Sequence, residues 1–158
     1  MPLEEQDRSL WDTDAIDRGT ALLESALHRH QPGPYQLQAA IAALHDQAGS
    51  AEDTDWKQIA ALYDTLAQMT PSPVVALNQA VAVAMANGPE LGLQHIDILV
   101  ESSQLSEYRH LHAARADLLR RSGHGVEATE SYLRALALTA NDCERRYLQK
   151  RLAEVAIL

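Results

Sequence analysis

The feature that most constrains this chain is a pattern of helices and turns that recurs between Asp53 and Ala140. Ile59, Leu93 and Ala128 occupy the same position of the pattern, 34 and then 35 residues apart. Periods of this length are typical of repeat proteins, in which each pair of helices buries its apolar side against the next pair. The sequence therefore predicts a stack of helical hairpins rather than a sheet.

The residue types within each period match those of the tetratricopeptide (TPR) repeat. The second helix of the last period carries a small, an aromatic and a small residue at offsets 0, 4 and 7, namely Ala128, Tyr132 and Ala135. The first period holds Ile59, Tyr63 and Leu66 at these offsets. The middle period departs from the pattern, since Asp97 stands at its aromatic position. We predict an all-α fold of about eight helices, in antiparallel hairpins stacked as a TPR-like right-handed superhelix.

Capping residues and turns divide the chain into these helices. Asp12 or Thr13 can cap the first helix, Asp55 with Gln58 can form a capping box, and Asn141 with Glu144 can form a second one for the last helix. The predicted helices are 13 to about 30, 35–47, 56–69, 74–86, 89–99, 106–121, 126–139 and 142–155. The first is expected to bury the stripe of Ile16, Leu22, Leu23, Ala26 and Leu27, and the last to expose the polar face of Arg145, Arg146, Lys150 and Arg151.

Composition agrees with one helical domain. The chain has 158 residues and no Phe, so alanine and leucine must supply most of the packing. We divide it into an N-terminal arm, residues 1–12, and a helical domain, residues 13–158. The sequence has no apolar run of membrane-spanning length and no signal peptide, and Cys143 has no second cysteine to pair with. We therefore expect a cytoplasmic protein.

Charge is distributed unevenly along the chain. Residues 1–100 hold 14 Asp and Glu against 4 Lys and Arg, whereas residues 101–158 hold 8 and 9. An acidic body repels a phosphate backbone, so we expect no direct binding to DNA. Two explanations of the acidity remain open, which are solubility and an acidic face for a basic protein partner.

Catalytic and metal-binding patterns are weak. The histidine pairs His28/His30 and His110/His112 are spaced i, i+2, which points them to different sides of a helix. His45 could lie near Asp53 or Asp55 and resemble a base with its orienting carboxylate. The simpler explanation is that these carboxylates cap a helix and that His45 packs at the helix end. We predict no enzyme activity, no cofactor and no metal site.

The candidate partner-binding residues lie at three places. The turn before residue 56 is longer than a repeat requires, and long ordered loops often carry function. The arm supplies a second aromatic anchor, and a polar residue on an otherwise apolar helix can face a binding groove. These candidates are Asp7, Arg8 and Trp11 in the arm, Glu52, Asp53, Asp55 and Trp56 at the turn, and Asn78. Internal packing of the tryptophans, capping by the acids and an internal hydrogen bond of Asn78 are the alternatives.

Several strings, in the same order, resemble the C-terminal extension of one group of bacterial extracytoplasmic-function (ECF) sigma factors. They are EEQDRSLWD (4–12), GPYQLQAAIAALH (33–45), DTDW (53–56), SPVVALNQAVAVA (72–84) and HAARADLLRRSG (112–123). In that group a TPR-like domain follows two sigma domains and is thought to control their activity. The sigma domains are absent here, so the resemblance implies a separated part of a longer protein, with residues 1–12 as the former linker.

Two functions follow as expectations. The first is a regulatory domain that controls transcription initiation by contacting its own sigma domains, the RNA polymerase core or a regulatory protein. The second is a free-standing TPR scaffold that joins two proteins. The polar arm favours the first, since a scaffold does not need it.

Overall fold

The computed structural model describes residues 6–28 and 32–155, and the regular structure in these residues is helical. A short 3₁₀ turn, Arg8–Leu10, precedes α1 (Thr13–Leu27), α2 (Pro34–Gln47), α3 (Trp56–Met69), α4 (Pro73–Asn87), α5 (Pro89–Glu101), α6 (Arg109–Arg121), α7 (Gly125–Ala137) and α8 (Asp142–Val155). Each helix packs against the next one in the chain, and α4 also contacts α6. The predicted all-α stack of about eight helices is confirmed for this part of the chain.

Local side-chain capping begins several of the helices. The carboxylates of Asp12 and Asp55 accept hydrogen bonds from the amides of Ala15 and Gln58, each at 2.9 Å, and so begin α1 and α3. Gly88 ends α4 and precedes α5 with φ at 107°, a left-handed conformation that glycine adopts without strain.

Two predicted helix limits differ from the structure by three residues, and the others agree within two residues. The helix expected from residue 106 begins at Arg109, because Ser103 has a φ of 58° and residues 103–108 form successive turns around buried Leu105. The first helix ends at Leu27, and its predicted continuation to residue 30 reaches positions outside the described residues.

Two apolar clusters form the core, and α4 belongs to both. The smaller cluster joins α2, α3 and α4 through Leu37, Ile41, Ile59, Leu66 and Ala82. The larger cluster runs from α4 to α8 and includes Tyr132, which is 1% exposed. A Cβ atom on Gly92 of α5 would lie 2.3 Å from the Cβ of Ala84, so α4 and α5 approach very closely.

Burial follows the predicted repeat register in most positions. Ile59, Leu66, Ala128, Tyr132 and Ala135 are buried, whereas Tyr63 is half-buried. Asp97, at the aromatic position of the middle period, pairs with Arg115 of α6 at 3.0 Å. Arg115 also donates to the buried hydroxyl of Ser131 on α7. An ion pair and a hydrogen bond thus link α5, α6 and α7 at the position where the first and last periods have a tyrosine ring.

The predicted apolar stripe of α1 is wrong in part. Leu22 is 73% exposed, and no residue of α1 is buried, although Ile16, Leu23 and Ala26 are half-buried. Because the extensive contacts of α1 are with α2, only one side of it is covered.

The predicted polar face of α8 is also wrong in part. Arg146 and Lys150 are exposed, but Arg145 donates to the carbonyls of residues 136 and 139 at the end of α7, and Arg151 is half-buried beside Tyr147. The Glu144 carboxylate pairs with Arg109 of α6 at 2.7 Å. Asn141 therefore caps α8 while Glu144 holds α6 and α8 together.

None of the described helices is both long and apolar enough to cross a membrane.

Candidate functional site

The N-terminal arm is folded against the end of α2. Asp7 caps the 3₁₀ turn, accepting from the Ser9 hydroxyl at 2.6 Å and the Ser9 amide at 3.0 Å. These two hydrogen bonds hold the pKa of the exposed Asp7 carboxyl below its ordinary value. The Asp7 carboxylate is thereby oriented by its own turn, and its charge remains in solvent.

Arg8 attaches the arm to the helical stack. Its Nη1 donates to the carbonyl of His45 at 2.7 Å and to the carbonyl of Ala48, at the C-terminal end of α2. These carbonyls have no partner within the helix, and the helix dipole makes this end negative, so a guanidinium is favoured there. The Arg8 guanidinium also lies 5.0 Å from the ring centroid of Trp11, within cation–π range. Arg8 thus connects half-buried Trp11 with α2.

The turn between α2 and α3 is ordered by its own side chains. The Ser50 hydroxyl donates to the Asp53 carboxylate at 2.8 Å and accepts from the Asp53 amide at 3.2 Å. Buried Thr54 donates to the Ser50 carbonyl, and Asp55 caps α3. Asp53, Asp55 and Glu52 are all exposed. The turn therefore presents three carboxylates to solvent, two of which also have local structural roles.

Trp56 is a half-buried part of the smaller core cluster. Its Nε1 donates to the carbonyl of Ala51 at 3.1 Å, and its ring meets the His45 ring edge-on with centroids 5.0 Å apart. Burial lowers the pKa of His45, the charge of Arg8 lowers it further, and Asp46 opposes the shift. The structure gives His45 neither Asp53 nor Asp55 as a hydrogen-bond partner, so the suggested base-and-carboxylate pair is not formed in the described residues.

Asn78 lies apart from these residues on the exposed side of α4. Its side chain is hydrogen-bonded to the Tyr63 hydroxyl, which opposes the upward shift that burial gives the pKa of Tyr63. Asn78 also lines an open depression of about 430 Å³ between α2, α3 and α4, with Ile41 and Val74 among its walls. Asn78 thus both forms an internal hydrogen bond and lines the groove. Its bond to Tyr63 leaves other donors and acceptors of the Asn78 amide available.

The structure therefore brings most of the candidate residues into one region. Asp7, Arg8 and Trp11 lie at the end of α2, and Glu52, Asp53, Asp55 and Trp56 lie on the turn that follows it. His45 touches both groups, which agrees with the alternative that it packs at the helix end rather than pairing with the acids. No local sequence pattern could have shown that Arg8 binds the end of α2, because Arg8 and Ala48 are 40 residues apart.

Residues 6–28 and 32–155 contain no candidate metal site: no three His, Cys, Asp or Glu side chains form a group that could hold an ion. His112 is paired with the carbonyl of Ser106, and His110 packs edge-on against Tyr108. His30 lies outside the described residues.

Comparison with known proteins finds a relative that matches nearly the whole chain. The chain is 44% identical over 154 residues to an uncharacterized protein of Rhizobium meliloti (strain 1021). The match covers 98% of this chain but 36% of the relative, so the chain spans about a third of that protein's length. No family model matches the chain, and no solved structure matches it.

Proposed function

We propose that this chain is the C-terminal regulatory part of a bacterial ECF sigma factor, with a TPR-like helical stack as its protein-binding scaffold. The observation that carries the proposal is the ordered series of motifs from residue 4 to residue 123 that resembles this extension. The rhizobial relative supports it, because a similar segment occurs there in a chain with room for further domains. The domain would control transcription initiation in the cytoplasm through its own sigma domains, the polymerase core or a regulatory protein.

The surface that we assign to the partner is the α2–α3 turn together with the arm. Glu52, Asp53 and Asp55 are exposed there, and the hydrogen bonds of Asp53 and Asp55 fix where their charges lie. A partner with a basic patch would associate faster with such a surface, and each rim charge would add only modest affinity. The acidity of residues 1–100 also supports the absence of direct DNA binding.

A variant that tests binding must change an acid that has no role in capping a helix. Replacing Asp55 would remove the cap of α3, so a loss of function would not separate binding from folding. Glu52 is exposed and does not cap a helix, so Glu52→Lys reverses a charge with little effect on stability. Glu130→Lys, at an exposed position on α7, is the matched control.

The experiment has two steps. The reading frame that encodes the chain is sequenced upstream of Pro2, where we expect two sigma domains in the same frame. Binding of the purified chain to those domains and to core polymerase is then measured at two salt concentrations. We expect Glu52→Lys to weaken binding several-fold at low salt, and Glu130→Lys to leave it unchanged. A frame without sigma domains, together with no binding to polymerase, would refute the proposal.

A free-standing scaffold is the second candidate, and the depression beside Asn78 favours it. An open groove with apolar walls and an amide side chain suits an extended peptide, whose backbone the amide can bind. In this case Asn78→Ala would reduce capture of a peptide partner, whereas Glu52→Lys would have no effect.

A further inference from the structure

A second cavity, distinct from the depression beside Asn78, lies where the arm meets α3, α4 and α6. It has a volume of about 200 Å³. Its walls include Trp56, Val81, Met85 and Leu118, and Arg8 and Arg121 also line it. The two arginines are far apart in the sequence, and only the tertiary fold brings them to one cavity.

Both guanidinium groups lack an anionic partner in residues 6–28 and 32–155. Arg8 binds two carbonyls through Nη1, and its Nη2 is buried without a hydrogen-bond acceptor. Arg121 donates to the Met85 sulfur at 2.9 Å, and a thioether is a weak, uncharged acceptor. Asp117 lines the same cavity, but its carboxylate is engaged by Arg120 at 2.7 Å. The cavity thus combines apolar walls with two guanidinium groups that form no ion pair within the described residues, and its one lining carboxylate is paired with Arg120.

We propose that this cavity binds a small monocarboxylate with a short apolar body, whose carboxylate lies between Arg8 and Arg121. Guanidinium groups bind carboxylates through paired, charge-assisted hydrogen bonds. A cavity of about 150 Å³ accepts benzene, so this one suits an acid of roughly five to eight heavy atoms. The apolar body would pack against Trp56 and Leu118. A free acid and the C-terminal residue of a peptide present the same chemistry.

A carboxylate bound in the cavity would connect the arm with α6, two parts of the chain that otherwise have few or no contacts. Arg8 is in the arm and Arg121 ends α6, while the principal contacts of α6 are with α4, α5 and α7. A carboxylate bound to both would fix the arm to the middle of the stack. The site would therefore act as an effector pocket. This inference does not require the sigma-factor proposal, because binding is measured on the isolated chain.

The test is a titration of the full chain with 3-methylbutanoate, followed by NMR of the Trp56 indole N–H and the His45 ring. Both groups line the cavity, so we expect saturable shifts in their signals. The neutral isostere 3-methylbutanamide should bind at least tenfold more weakly. Arg121→Gln should weaken binding of the acid at least tenfold, whereas Arg146→Gln, at an exposed position on α8, should not.

Two further arms complete the experiment. A short peptide that ends in valine is compared with its C-terminal amide, and preferential binding of the free peptide over 3-methylbutanoate would assign the site to a peptide terminus. Equal binding of acid and amide, unchanged binding in Arg121→Gln, or no saturable shift with any of these probes would overturn the proposal.

Discussion

The close contact between α4 and α5 predicts that Gly92→Ala destabilises the protein. The added Cβ would lie 2.3 Å from the Cβ of Ala84, 2.8 Å from the carbonyl oxygen of Ala80 and 3.0 Å from Leu118. Carbon atoms pack at about 3.5–4.0 Å, so the two helices must separate by more than about 1 Å. Overpacking of this kind costs about 1–3 kcal/mol. Alanine recovers about 1 kcal/mol of helix propensity, so we expect a net loss of up to about 2 kcal/mol.

Gly19→Ala is the matched control, because it makes the same chemical change inside α1. No atom lies within 4 Å of the position of its added Cβ, so the propensity gain of up to about 1 kcal/mol has no steric cost. Urea unfolding followed by circular dichroism measures both variants, and Gly92→Ala should unfold at a lower urea concentration than the parent. Identical midpoints for the two variants would show that α4 and α5 are not in close contact at Gly92.

Three further predictions concern stability. Tyr132→Ala should cost about 3–5 kcal/mol in thermal or urea unfolding because the ring is fully buried, whereas Tyr35→Ala, at a site 84% exposed, should stay within about 0.5 kcal/mol of the parent. Asp55→Ala should cost about 1 kcal/mol through loss of the α3 cap, and Asp55→Asn should recover most of it; equal losses in both would contradict the capping role. The folded-state pKa of His45 lies below 6.5, so the unfolded chain binds more protons and the stability due to neutral His45 is lost as the pH falls below about 6.5. The stability of His45→Gln should therefore depend less steeply on pH below about 6.5, and an unchanged slope would argue against the burial of this ring.

Local interactions explain why most helix limits were predictable. The α3 limits follow from Asp55 at one end and Thr70-Pro71 at the other, signals that act within about four residues. The start of α6 was missed because it depends on buried Leu105 and on the left-handed Ser103, neither of which a capping pattern reveals. The ion pair of Glu144 was not predicted either: the sequence pairs Glu144 with Asn141 in a capping box, whereas its partner Arg109 is 35 residues away.

The sequence by itself determined the all-helical class, the number of helices and several of the residues that cap them, because periodicity and capping are interactions between near neighbours. It also identified the arm and the acidic turn as regions of interest. Only the tertiary structure decided that Arg8 binds the end of α2, that Leu22 remains exposed, and that Arg8 and Arg121 line one cavity. These outcomes depend on how helices distant in the chain pack together, and the geometry of that packing is set by the whole core rather than by any local segment.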